Sequence, residues 1–226
     1  RFAGLYTTAA VALGAPRVRR PARPAGAASC CPGPPMHTDH VLDRFRAAGA
    51  LLDGHFRLSS GLHSPGYLQC ALVLQWAEHA AAFGEGIAAA ARALSPTVVL
   101  SPALGGIVIG HEVGRALGVR AVFAERQEGV LTLRRGFLLE AADRVLVVED
   151  VVTTGGSTRE TMHVAGAHGA TVVGAAAIVD RHGAVDLGVP FHALTRMVLP
   201  TYDAESCPLC ARQVPLIKPG SRPTTL

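Results

Sequence analysis

Two rhythms of apolar residues alternate along the chain. Short unbroken runs, namely Val98-Val99-Leu100, Ala121-Val122-Phe123, Val145-Leu146-Val147-Val148 and Thr171 to Val179, are set between glycines, prolines and charges. Runs of this length without polar alternation suit strands covered on both faces. Between them apolar positions return at about 3.6 residues, the period of a helix with one buried face. This pattern marks an alanine-rich helix from about Ala77 to Leu94, one through His111 and Arg115, and one over Thr158-Arg159-Glu160-Thr161-Met162-His163-Val164. Thr38 or Asp39 is placed to cap a first helix through Val41, Leu42, Phe45 and Ala48.

Shorter strands are expected at His55-Phe56-Arg57-Leu58 and Tyr67-Leu68-Gln69-Cys70, around the turn Ser59-Ser60-Gly61-Leu62-His63-Ser64-Pro65-Gly66. Glu125 to Arg135 reads as a long polar loop, and Phe137-Leu138-Leu139 as the start of the returning strand. Strands alternating with helices predict an α/β fold: a parallel sheet flanked by helices, with a small N-terminal subdomain. In such sheets ligands bind at the carboxyl ends of the strands, and the loops 101–106, 125–135 and 149–157 all fall there.

Composition narrows the picture. At 226 residues and 49% hydrophobic, the chain suits one domain with a sizeable core, or one with a small appendage. No apolar stretch has the length of a membrane span, so a soluble protein with no membrane partner is expected. The net charge of +4 is mild and swollen by N-terminal arginines, which gives no reason to expect nucleic-acid binding. Lys218 is the only lysine. Five cysteines, without the spacing of a disulfide scaffold, point to a reducing, cytoplasmic setting. Residues 1–35 are rich in Ala, Pro and Arg and hold no Asp or Glu, whereas a well-patterned domain begins at Met36. They fit upstream sequence outside the native protein, an organelle transit peptide or a disordered tail, the first being the expectation, and none gives them a folded role.

The chemistry concentrates in Val145-Leu146-Val147-Val148-Glu149-Asp150-Val151-Val152-Thr153-Thr154-Gly155-Gly156-Ser157. A buried strand ends on two carboxylates and runs through hydroxyls and glycines into a helix. Gly155 and Gly156 allow close approach of backbone to an anion, and the helix start offers free N–H groups. That is a phosphate cradle, with Thr153, Thr154 and Ser157 hydroxyls adding donors. Glu149 and Asp150 repel a phosphate at close range and instead suit a ribose diol or hydrated Mg2+. A sugar carrying a phosphate, a diol and a metal-bound diphosphate satisfies all these groups at once. Cys207 and Cys210 form a Cys-x-x-Cys pair with no second pair nearby, and a metal site needs about four ligands. The pair therefore reads as a packed C-terminal turn. His37 and His40 are expected to be exposed, and His182 beside Arg181 is a weak candidate for substrate contact.

The central run resembles, position by position, the phosphoribosyl-diphosphate motif of type I phosphoribosyltransferases. The remainder, from Met36 to Arg222, resembles the orotate phosphoribosyltransferase branch. Four further stretches carry the likeness: His55 to Pro65, Ser101-Pro102-Ala103-Leu104-Gly105-Gly106-Ile107, Glu125 through Phe137, and Cys207-Pro208-Leu209-Cys210 through Arg222. The resemblance implies the type I fold with a hood built from residues of about 36–75 and the C-terminal segment, all within a domain of residues 36–226. It implies transfer of the phosphoribosyl group to orotate in UMP biosynthesis, with Mg2+ held mainly through the diphosphate and no firm protein ligand, and a homodimer. Glu149, Asp150, Val151, Val152, Thr153, Thr154, Gly155, Gly156, Ser157 and Arg126 would bind phosphoribosyl diphosphate. Glu149, Asp150 and Arg126 would act in catalysis, and Thr153 and Arg181 would contact orotate. Loop 125–135 resembles a mobile catalytic loop that can act across a dimer interface, with Arg134 and Arg135 as hinge or structural residues. Members of the family place lysines and a histidine in this loop and a lysine where Gly105 stands; this chain has neither. The alternatives are a purine-type phosphoribosyltransferase and a regulator that senses phosphoribosyl diphosphate. The hood element and Arg181 weigh against the first, and the absence of a helix-turn-helix pattern in 1–35 against the second.

Overall fold

The central strands are the most apolar segments, and their burial organises the rest. A computed structural model describes residues 38–58, 60–181, 183 and 185–218. The expectations for residues 1–35, His37 and His182 lie outside the described residues. In chain order the elements are α1 (Thr38–Ala47), β1 (Leu51–Arg57), β2 (His63–Leu68), α2 (Cys70–Leu74), α3 (Ala77–Ala91), β3 (Val98–Pro102), α4 (Gly105–Leu117), β4 (Arg120–Gln127), β5 (Val130–Leu133), β6 (Arg144–Val152), α5 (Gly156–Ala167), β7 (Thr171–Asp180), β8 (Phe191–Arg196) and α6 (Pro208–Ala211).

Six strands form one sheet in the order β5-β4-β3-β6-β7-β8. Neighbours are parallel except for β4 and β5. Successive residues of the central strands feed opposite faces, as the pleat requires. Val99, Leu146, Val148 and Ile178 join the cluster holding Phe45 of α1, Phe83 and Ile87 of α3, and Ile109 and Val113 of α4. Val98, Leu100, Val145 and Val147 join the cluster holding Val164 and Ala165 of α5. Helix α4 lies so close to β3 that a Cβ on Gly110 would stand 2.0 Å from the Ser101 hydroxyl. This packing fixes the loop between β3 and α4, which lines the site.

Strands β1 and β2 pair antiparallel in a separate two-stranded sheet. Such a pair is marginal alone. Here Phe56 bridges to Ile217 and His63 to Tyr202, so the C-terminal segment laces along both strands.

Three expectations need correction. Glu125 to Arg135 is not a loop: β4 runs to Gln127, and β5 returns antiparallel to it. The turn residues Glu128 and Gly129 both take positive φ, at 52° and 87°, the geometry of the tight hairpin turn whose twist matches the strands. The sheet is therefore mixed at this edge. Phe137-Leu138-Leu139 is not a strand. Phe137 instead packs edge-on against Phe123, with ring centroids 5.1 Å apart. Cys70 begins α2 rather than ending a strand.

Candidate active site

Strand β6 delivers the two carboxylates to the carboxyl edge of the sheet, beyond its last pairing with β3 at Val147. Parallel pairing with β7 carries β6 as far as Val152, and the chain then leaves the sheet through Thr153 and Thr154, both exposed. Gly155 takes φ 78° and opens α5 with no side-chain cap on its first amides. A Cβ there would stand 2.9 Å from Arg159, Leu187 and Val185. The αL geometry and the missing side chain are thus both required at this position. Arg159 braces the loop from behind, donating to the Thr154 carbonyl at 2.8 Å and the Asp186 carbonyl at 2.6 Å. The uncapped helix start and exposed threonines form an anion cradle.

Glu149 is 5% exposed and accepts a 2.6 Å hydrogen bond from the Ser157 hydroxyl. Burial pushes its carboxyl up to about 8; the Ser157 bond opposes this and the Asp150 charge adds to it. Ser157, expected among the phosphate donors, therefore spends its hydroxyl on Glu149. Burial also raises Asp150, against the pull of the Val151 amide, which it accepts at 2.9 Å. The Cys70 thiol lies beside Asp150, and burial followed by the Asp150 charge holds it well above the usual thiol range. A Cβ on Gly105 would come within 2.7 Å of the Asp150 carboxylate.

Arg126 reaches the same place from β4. It lines a cleft of about 130 Å³ together with Pro102, Ala103, Gly105, Glu149, Asp150 and Ser157. Its guanidinium donates to the Gly129 carbonyl at 2.7 Å and pairs with Glu160 of α5 at 2.7 Å. Arg135 lies elsewhere: it grips Glu125 with two bonds of 2.7 and 2.8 Å and sits 5.9 Å from the Phe123 ring centre. This pair lies at the base of the hairpin, where Glu125 and Thr132 face each other across the strands. Arg134 is exposed.

Arg181 follows β7, its amide bonded to the Val152 carbonyl at 2.8 Å. Burial lowers its guanidinium pKa, and the nearby Tyr67 hydroxyl opposes the shift. Burial and the Asp150 charge in turn raise Tyr67. Arg181, Tyr67 and Asp150 thus share one electrostatic neighbourhood, where β2 faces the ends of β6 and β7. Among the described residues, Arg181 Nε is buried and finds no hydrogen-bond partner. Buried donors are seldom left so, and this one suits an incoming acceptor.

The structure thus brings Arg126, Glu149, Asp150 and Ser157 into one cleft. Arg181 enters through its coupling to Tyr67. Tyr67, Cys70 and Arg159 were not among the expected site residues. A larger hollow of about 360 Å³ lies along β8, lined by Asp180 and Phe191 to Arg196. It contains none of the carboxylates, glycines or hydroxyls of the β6–α5 loop, and the smaller cleft is the one with the chemistry.

The phosphoribosyl transferase domain model matches residues 78–187. The orotate phosphoribosyltransferase of Pelotomaculum thermopropionicum is 52% identical over 188 residues, covering 83% of this chain and 99% of the relative. That of Heliobacterium modesticaldum is 53% identical over 190 residues, covering 83% and 100%. Among solved structures, the orotate phosphoribosyltransferase of Aeropyrum pernix is 25% identical, with a TM-score of 0.57, covering 69% of this chain and 93% of that one. With identity above half along essentially the full length of such relatives, the chain belongs to the orotate phosphoribosyltransferase family.

Proposed function

We propose that the protein transfers the 5-phosphoribosyl group from phosphoribosyl diphosphate to orotate, giving orotidine 5′-phosphate and diphosphate, a step of UMP biosynthesis. The observation that carries the orotate half is the unpartnered Nε of Arg181 beside Tyr67 and Asp150. A guanidinium with a free donor matches the orotate carboxylate, which uracil lacks. Thr153, exposed just after β6, would be the second orotate contact.

The 5′-phosphate would take the amides of 153–157 at the start of α5. The ribose hydroxyls would meet Glu149 and Asp150. Burial keeps the Glu149 carboxyl largely protonated near neutrality, so it donates as well as accepts. In the transfer, orotate N1 forms the new bond to the anomeric carbon while the bond to diphosphate breaks and the leaving group takes the electron pair. Arg126 would move from Glu160 to that growing charge, since an exposed pair is weakly held. Excluding water matters because the sugar passes through an oxocarbenium-like state. The carboxyl oxygens of Glu149 and Asp150 fit the waters of a Mg2+ ion that would be held mainly through diphosphate and would neutralise charge on the leaving group. A homodimer in the cytoplasm is part of this reading, and no described helix is long and apolar enough to cross a membrane.

The test is release of diphosphate from phosphoribosyl diphosphate and Mg2+ with orotate, adenine or hypoxanthine as acceptor. Orotate alone should support it; use of a purine base, or binding without turnover, would select the purine-type or regulatory reading. Arg181→Ala should weaken orotate more than phosphoribosyl diphosphate, by about 2–4 kcal/mol for a charge-assisted pair. Equal loss for both substrates would make Arg181 structural.

A further inference from the structure

We propose that His55, His63, Cys207 and Cys210 form a structural zinc site that clips the β1–β2 hairpin to the C-terminal segment. This inference is independent of the catalytic reading, since none of the four residues lines the cleft. Their ligand atoms lie within 4.8 Å of one another, and among the described residues no other such group of His, Cys, Asp and Glu occurs. His55 Nε2 is 2.9 Å from His63 Nδ1, 3.5 Å from Cys207 Sγ and 3.8 Å from Cys210 Sγ. Cys210 Sγ is 3.3 Å from His63 Nδ1. A tetrahedral zinc with bonds of about 2.0–2.3 Å spaces its ligand atoms by roughly 3.3–3.8 Å. Three of these spacings, 3.3, 3.5 and 3.8 Å, match that size, the two nitrogens are slightly tighter, and the cluster as a whole spans up to 4.8 Å, which small side-chain shifts would close onto an ion.

The protonation pattern also fits. His55 Nδ1 lies 2.8 Å from the Val214 carbonyl. A carbonyl only accepts, so Nδ1 carries the proton and Nε2 turns its lone pair into the cluster. Metal-bound histidines are typically oriented in this way by a carbonyl behind them. Without a metal, His55 Nε2 and the two sulfurs compete for hydrogens in a pocket where His55, His63 and Cys207 are 1%, 4% and 3% exposed. Cys210 is exposed and leaves an entry for the ion. Two imidazoles and two thiolates form a tetrahedral N2S2 donor set typical of zinc and unsuited to hard ions such as Mg2+ and Ca2+.

The fold supplies a role. The hairpin and the C-terminal segment are short pieces with little core of their own, joined by backbone bonds from Arg57 and His63 to Ile217 and Tyr202. A metal would close long loops between them, at sequence separations of 147 and 152 residues. The Cys-x-x-Cys pair, expected to be a packed turn for want of further ligands, finds them in histidines far away in sequence.

The test uses the full chain purified under reducing conditions without chelator. Elemental analysis should find one zinc per chain. Stripping it with a strong chelator should lower the melting temperature by several degrees, and Zn2+ but not Mg2+ should restore it. Co2+ loaded into the stripped protein should show thiolate charge-transfer and tetrahedral d–d absorption. Cys210→Ser, at an exposed position, should fold yet lose most zinc affinity and the cobalt thiolate intensity. Zinc far below stoichiometry with no response to added Zn2+ or Co2+ would overturn the proposal. So would a Cys207–Cys210 disulfide in the reduced preparation, or a zinc response unchanged in Cys210→Ser.

Discussion

Glu149 shows how one residue trades stability for function. Burial holds its carboxyl near 8, against 4.5 for the free side chain. Below about pH 4.5 it is protonated in both folded and unfolded chains, and folding carries no penalty from it. As pH rises toward 8 the unfolded chain ionises while the folded one does not, so stability is lost progressively across that window. Each unit of displacement is worth about 1.4 kcal/mol, so the loss amounts to a few kcal/mol. Glu149→Gln keeps an acceptor for Ser157 and cannot ionise. The variant should therefore melt above the parent near pH 8, and the two curves should converge as the pH falls toward 4.5. Activity should fall at the same time, as expected where a strained polar group serves a ligand. A melting difference that does not change with pH would show that Glu149 ionises freely in the folded protein.

At the scale of elements, the β4–β5 hairpin determines what Arg126 can do. Register pairs Arg126 with Leu131, the two-residue turn fixes the tip, and Arg135 locks the base onto Glu125. Arg126→Ala should lower turnover by about 2.7–4 kcal/mol of transition-state stabilisation while leaving substrate affinities much less affected. Substituting Gly129, at φ 87°, should loosen the same arginine and produce a smaller fall in turnover, with little change in melting temperature. If Arg126→Ala instead raised both KM values and spared turnover, the hairpin would be a binding wall. The elements also show what the sequence made legible. The strands β3, β6 and β7 and helices α3 to α5 follow from local periodicity, and the carboxylates, glycines and hydroxyls after β6 are contiguous, so they could be read directly. The hairpin is not legible locally because its two strands flank Glu128-Gly129 within a stretch rich in charged and polar residues, which carries no strand period. Strand β8 was missed because Phe191-His192-Ala193-Leu194-Thr195-Arg196 is an edge strand with a mixed pattern. Tyr67 and Cys70 entered the site, and His55 and His63 joined the cysteines, only through contacts distant in sequence, which no local period encodes.

For the whole molecule, the question is whether one chain completes a site. The family resemblance allows the 125–135 segment to act across a dimer interface. Within a single chain Arg126 already lines the cleft with Glu149 and Asp150, so one subunit can present all three groups. If this resting arrangement persists through turnover, Arg126 and Asp150 must come from one subunit. Arg126→Ala and Asp150→Ala proteins, each nearly inactive, can be mixed and allowed to exchange subunits, with exchange verified by a mass or affinity tag. In a mixed dimer each site then lacks one of the two groups, and activity should remain at the level of the separate variants. If Arg126 instead served the partner's site, one site in each mixed dimer would hold both groups and up to half the parental activity per mixed dimer should return. The hairpin would then have to leave Glu160 and swing outward on ligand binding. A strictly monomeric protein with full activity would remove the interface from the mechanism and make the single-chain cleft the complete catalytic unit.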